Sequence, residues 1–320
     1  MSRALRVLIT SASRKAPLVE AMRVAALRVD PAASVVAGDR DPLAGTRLVA
    51  DEFWEMPPAD DASAADLLAG CVRRSITAVL PTRDGELAFW ARHRAAFAAE
   101  RIAVLVSDHA AVAACLDKLE FSRMGARHGL PIIPSWESLP EGASGSLVVK
   151  ERFGAGSRGI GLALPREAAL RHALGLRDPI FQPYEPGPEL SIDGWMDRHG
   201  VPAGLVLRRR DRVSGGESQV TTTFRDPAIE SAAAAAFTAL RLRGHAVMQA
   251  VVAADGIRII ECNPRFGGAS TASIAVGLDS LHWSLRESID PSWSPAFERA
   301  ALEVRQFRLP RDIIVHDPRL

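Results

Sequence analysis

Short apolar runs alternate with helix-period stretches through the first third of the chain, and this alternation is the strongest constraint on its fold. Residues 5–10 are apolar, 17–28 carry helical spacing and 34–37 read as a strand. Residues 77–80 and 102–106 are further apolar runs, each after a helical stretch. Strands of this length, separated by helices, pair in parallel with helices on both faces of the sheet. Binding crevices in such sheets form from the loops at the carboxyl ends of the strands. Here those loops are residues 10–15, 38–41 and 81–86.

A helix is expected over 117–128, closed by Gly129 and Pro131. Beyond it the texture changes. Strands are expected at 147–150, 160–163, 180–183, 189–196, 201–207, 219–223, 246–252 and 257–261, with helices at 165–174, 227–240 and 270–288. The fold class is therefore α/β followed by α+β, with a boundary between 108 and 118. A length of 320 residues suits two or three linked units.

With 39 basic against 38 acidic residues, the net charge of +1 lacks the basic excess of a general nucleic-acid or membrane-surface binder. No apolar window approaches the roughly 18 residues of a membrane span, and the N-terminus runs directly into a strand pattern. Cys71, Cys115 and Cys262 have neither disulfide nor zinc spacing, so a cytoplasmic location is expected. Only three of the basic residues are lysines, Lys15, Lys118 and Lys150, and Asn263 is the sole asparagine. In an Ala- and Arg-heavy chain of GC-rich character, these are the first positions to inspect.

Gly154-Ala155-Gly156-Ser157-Arg158-Gly159 fits G-x-G-x-x-G, but a strand-like segment follows it instead of the helix that a dinucleotide site requires. The context suits a flexible flap whose N–H groups close over phosphates, with Lys150 at the end of the preceding strand. No Gly-Lys-Ser/Thr follows, which excludes a Walker loop. A glycine-rich hairpin without a ligand is the competing reading.

Along a strand, residues i and i+2 share a face, so Glu261 and Asn263 point together while Cys262 points away. Two oxygen ligands at a strand end suit Mg²⁺, which takes few protein ligands and completes its shell with water and phosphates. Gln249, on the preceding strand, offers another amide oxygen. Arg265 follows closely enough to neutralise a transferring phosphoryl group. The competing reading is a salt-bridged strand end with an Asn-Pro turn.

With the hinge Phe181-Gln182-Pro183-Tyr184-Glu185-Pro186-Gly187-Pro188-Glu189, the chain resembles the ATP-grasp enzymes over nearly its whole length. Asp117-Lys118, Val149-Lys150, the glycine flap, the hinge and Glu261-x-Asn263-Pro264-Arg265 occur in that family's order. The nearest likeness is to single-chain proteins similar to one half of the carbamoyl-phosphate synthase large subunit and to the carboxylate–amine ligase of pyrrolysine biosynthesis. The resemblance implies a Rossmann-like pre-ATP-grasp domain over 1–112 and a two-lobed ATP-grasp fold. Its small lobe, with the flap, spans 113–185, and its C-terminal lobe, with the metal site, spans 186–320.

Residue by residue, the resemblance places Lys118 and Lys150 on the nucleotide phosphates, under Gly154, Gly156, Ser157 and Gly159. It places Gln182, Pro183, Tyr184 and Glu185 around adenine and Glu189 on the ribose. Gln249, Glu261 and Asn263 become ligands of Mg²⁺ or Mn²⁺, and Arg265, with Lys150, serves the phosphoryl transfer. Proline at 183 departs from an often acidic position: it removes an N–H but leaves the carbonyl that adenine's amino group needs.

The implied reaction is ATP-dependent carbon–nitrogen ligation of a small-molecule carboxylic acid and an amine through an acyl-phosphate, without nucleic acid or membrane. Homodimers are common among the proteins resembled. Ser11, Arg14, Asp84, Glu86, Arg208 and Arg210 are the substrate-side candidates. Arg14 or Lys15 could hold a carboxylate and Asp84 an ammonium, although Asp84 and Glu86 could equally do no more than begin a helix, and the 208–212 charge run could be a solvated face. A kinase or carboxyphosphate-forming enzyme on the same fold, and a non-catalytic nucleotide binder, are the alternatives.

Overall fold

The computed structural model describes residues 3–315. Its first part is a parallel sheet of β1 (Arg6–Ile9), β2 (Ser34–Asp39), β3 (Glu52–Glu55), β4 (Ala78–Leu80) and β5 (Ala103–Val104), in the order β3-β2-β1-β4-β5. The strands are nearly all buried because helices cover both faces: α1 (Ala16–Val29) on one, α2 (Ala64–Arg73) and α3 (Asp84–Ala99) on the other. Pro17 begins α1, where its missing N–H costs nothing, and Leu18, Val19, Met22, Ala25 and Ala26 form the buried stripe. The order reverses between β1 and β4, and the crevice opens there, with Thr82 Oγ1 donating to the Thr10 carbonyl at 2.7 Å.

Two helices, α4 (His109–Leu116) and α5 (Lys118–Arg127), lead onward. Asp117 caps α5 by accepting from the N–H groups of Leu119 and Glu120, and it also receives Arg152. A small antiparallel sheet follows, order β7-β6-β8, from β6 (Leu147–Glu151), β7 (Gly161–Leu164) and β8 (Pro179–Pro183), packed on α6 (Arg166–Ala173).

The largest sheet is antiparallel, ordered β13-β12-β9-β10-β11-β14. Its strands are β9 (Glu189–Met196), β10 (Pro202–Ser214), β11 (Glu217–Phe224), β12 (Gly244–Ala253), β13 (Gly256–Asn263) and β14 (Arg305–Phe307). One face packs on α7 (Pro227–Leu240) and on α4 and α5. The single helix expected at 270–288 is instead α8 (Thr271–Ala275) and α9 (Ser280–Ile289). Gly277 separates them at φ +105°, with the Glu298 carbonyl too close to admit a side chain. Leu281 and Leu285 of α9 share one buried cluster with Val19 and Met22 of α1, which ties the parallel sheet to the C-terminal part.

Candidate active site

A cleft of about 510 Å³ lies between the small and large antiparallel sheets and reaches the crevice of the parallel sheet. Its floor is the face of the large sheet on which alternate residues project. Glu189, Ser191 and Asp193 on β9 are in register with Val251, Gln249 and Val247 on β12, and Gln249 and Val247 with Glu261 and Asn263 on β13. The i, i+2 rule thus places Glu261 and Asn263 together, and Asn263 Nδ2 donates to Glu261 Oε1 at 3.1 Å. Both line the cleft, as do Lys118, Lys150, Gly154, Gly156, Ser157, Gln182, Pro183, Tyr184, Glu185, Glu189, Gln249 and Arg265.

Lys150 is the most perturbed cation of the site. Burial lowers its pKa to about 8; the Glu261 and Glu189 carboxylates act the other way, and Lys118 adds to the lowering. Lys118 donates its ammonium to the Gly154 carbonyl and so holds the base of the flap. At the flap tip, Ser157 lies against Gly216 in the β10–β11 turn: a Cβ added at Gly216 would meet Ser157 Oγ at 2.6 Å. The Tyr184 N–H donates to the Ser146 carbonyl, while the Glu185 N–H has no backbone acceptor among the described residues. Gln182, also in the hinge, turns its side-chain amide to Ser135 at 2.8 Å.

Arg265 donates through Nε and Nη2 to both oxygens of Asp84, and Nη2 also reaches Asn263 Oδ1 at 3.5 Å. Asp84 is therefore not an open receptor for an ammonium. Glu86 differs from the expectation more sharply. It is buried and accepts from the Thr82 and Arg83 N–H groups and from Trp90, so it caps α3 and cannot meet a substrate. Ser11 and Arg14 lie outside the cleft lining, Ser11 facing Arg83. Gly159 is also outside it, its carbonyl bound by His172.

Of the clustered arginines, Arg208 and Arg210 point inward and Arg209 outward. Arg208 is wholly buried on Asp193, which also accepts from His245 at 3.0 Å, Ser270 and Ser273. It lines the cleft with its guanidinium engaged by Asp193. Arg210 donates to Gln249 Oε1 at 2.6 Å, to the Gly216 carbonyl and towards Glu189, so the amide oxygen expected on a metal is engaged in this arrangement.

Sequence reasoning overlooked the Asp193–Arg208–His245 network and underrated Lys15. His245, stacked on Phe266 at 3.9 Å, has its pKa lowered chiefly by burial, with Asp193 opposing. Nothing in the local pattern marks it. Lys15 lines the cleft, and its rarity in the chain was the available signal.

The oxygen donors at Glu261 and Asn263 fit a hard cation shared with phosphates. Among the described residues no group of three or more His, Cys, Asp or Glu side chains is placed to hold a metal ion.

Two family models match the chain: a PylC-like N-terminal domain over residues 7–105, and an ATP-grasp of the biosynthetic pathway with the Ter operon over 176–308. The chain has the ATP-grasp fold. Solved structures share this ATP-grasp fold. A biotin carboxylase–βγ-ATP complex from Campylobacter jejuni has a TM-score of 0.74 at 16% identity, over 95% of this chain and 75% of that one. An L-amino acid ligase from Bacillus licheniformis gives 0.72 at 18%, over 98% and 82%. The biotin carboxylase domain dimer of a Hydrogenobacter thermophilus 2-oxoglutarate carboxylase, in complex with MgADP, ADP and bicarbonate, gives 0.69 at 17%, over 94% and 72%. No curated protein gives a significant sequence match. Among the described residues no helix is long and apolar enough to cross a membrane.

Proposed function

We propose that this ATP-grasp chain is an ADP-forming carboxylate–amine ligase. The observation that carries the reading is the convergence, in one cleft, of the Glu261–Asn263 pair, Lys118, Lys150 and Arg265 beneath a glycine flap. Phosphoryl transfer asks a protein mainly for positioning and charge neutralisation, and these groups supply both. Glu261 and Asn263, with Gln249 once Arg210 releases it, would hold Mg²⁺, or Mn²⁺, whose contribution when bound is to neutralise the β and γ phosphates.

In the reaction a carboxylate oxygen of the acid attacks the γ phosphorus and the bond to the β-phosphate oxygen breaks, releasing ADP. The amine nitrogen then attacks the acyl carbon, the C–O bond to phosphate breaks, and the amine's proton leaves with phosphate or water. Lys150 and Lys118 bind the triphosphate, Arg265 faces the transferred group, and the flap excludes water that would hydrolyse the acyl-phosphate. The Pro183 carbonyl, the Glu185 N–H and Glu189 receive adenine and ribose. No protein nucleophile is needed, in keeping with three buried, unbridged cysteines. We assign residues 1–112 to the substrate side, 113–185 to the flap-bearing lobe and 186–320 to the metal-bearing lobe, in a cytosolic, homodimeric enzyme.

An ADP-release screen of amino acids and sugar acids, with and without amines and with Glu261→Gln as blank, tests this. Amine-dependent ADP release with an amide product is expected. ADP released from the acid alone with no amide would overturn the ligase in favour of a kinase, and no ADP with any pair would leave a nucleotide-binding protein.

A further inference from the structure

We propose that Lys15 is the anchor for the acid substrate's carboxylate, so that the end of the cleft nearest the parallel sheet selects an anionic group and not an ammonium. This rests on the ligase reading. Lys15 follows the β1 loop at the start of α1 and lines the same cleft as Asp84, Glu217 and Arg265. The charged groups that act on it come from the α3 start, the β10–β11 turn and the segments after β13 and β14.

Both carboxylates that act on Lys15 are already paired, and the neighbouring Arg14, which also acts on Glu217, is exposed and lies outside the cleft lining. Asp84 is taken by both prongs of Arg265, and Glu217 is taken by Arg308. Lys15, half-buried, has no carboxylate within 4 Å among the described residues. An arriving ammonium would therefore find both carboxylates engaged, whereas an arriving carboxylate finds an uncompensated ammonium with three donors.

The electrostatics agree with that geometry. Burial is the main influence lowering the Lys15 pKa, followed by Arg265; Glu217 opposes them, Arg308 lowers it further, and Asp84 opposes. The charged form is thus held at a disadvantage in the protein alone, and a bound anion relieves it. Arg265 is the strongest charged influence on Lys15 and also reaches Asn263. Lys15 and Arg265 line the same cleft, so a carboxylate held by Lys15 shares it with the Arg265 guanidinium.

The test uses the full chain, wild type, Lys15→Met and Lys15→Arg, with saturating Mg²⁺ and a non-hydrolysable ATP analogue. Acetate, L-alanine, L-glutamate and succinate are titrated as probes by calorimetry, with n-butylamine as the cationic control. At least one carboxylate is expected to bind wild type, to lose about tenfold or more in Lys15→Met and to recover in part in Lys15→Arg. Any affinity for the amine should be the same in all three forms, and affinity for the analogue should stay within about twofold. For an acid found active in the ADP-release screen, Lys15→Met should raise its KM and leave the KM for ATP unchanged. Equal carboxylate affinity in wild type and Lys15→Met, or no carboxylate binding to wild type, would overturn the assignment while analogue binding persists. Failure of wild type to bind the analogue would instead count against the ligase reading itself.

Discussion

Asp84 and Arg265 stand 181 positions apart in the chain and meet as a two-pronged ion pair, at 2.7 and 2.5 Å. The first begins the helix after β4 of the parallel sheet; the second follows β13 of the large sheet. The guanidinium proposed to face the phosphoryl group is thus aimed by a carboxylate from a different sheet. Replacing Asp84 with Asn keeps the shape but leaves Arg265 without its counter-charge. We expect kcat to fall by about 10- to 100-fold with the KM for ATP within about twofold, measured by steady-state ADP release.

Lys150 carries a pH-dependent penalty of known sign. Its pKa drops from 10.5 to about 8 on folding, largely through burial. Between these values the unfolded chain holds more protons than the folded one, so stability rises with pH over that window. Below about 8 the charged lysine costs roughly 3 kcal/mol. Lys150→Met is therefore expected to raise the melting temperature of the nucleotide-free protein at pH 7 while abolishing affinity for ATP. Wild-type affinity for an ATP analogue should decline as pH rises through about 8. Melting curves and calorimetry at pH 6–10 read both effects.

Asp193 and Arg208 are buried with 0% and 2% of their side chains exposed. Asp193→Asn would leave a guanidinium uncompensated in the core beneath the site, and a loss of about 3–5 kcal/mol is expected in urea denaturation. The double variant Asp193→Asn/Arg208→Met should recover most of that loss, because the unpaired charge is gone.

Gly216 adopts φ +76°, and Ser157 of the flap rests where its Cβ would be. Gly216→Ala should cost about 1 kcal/mol in stability through backbone strain. It should also raise the KM for ATP several-fold by keeping the flap tip from seating. Lengthening the turn by one glycine is expected to reproduce the KM change without the strain.

The alternation of strand and helix in the first third was legible because each element's buried stripe is written into its own residues, as in β1, α1 and β2. The Glu261–Asn263 pair was legible for the same reason. β3 was not: Glu52-Phe53-Trp54-Glu55 is short, flanked by charges and only half-buried at the sheet edge. The helix expected at 270–288 failed at Gly277, whose role depends on a carbonyl 21 residues further along. Glu86 looked like a site residue because an acid near a crevice and an acid at a helix start are the same letters. Only its three inward donors separate the two.

By itself, the sequence determined what depends on local covalent geometry: the periods of strands and helices, the two-residue spacing that puts Glu261 beside Asn263, and the glycine flap between strands. The tertiary structure decided which charges remain available. Arg265 is on Asp84, Arg308 on Glu217, Arg210 on Gln249 and Arg208 on Asp193, whereas Lys15 is left without an ion pair among the described residues. The first of these pairs joins two sheets across 181 positions, and the other three follow from the strand order of the large sheet. No local pattern encodes which strands become neighbours or which sheets meet.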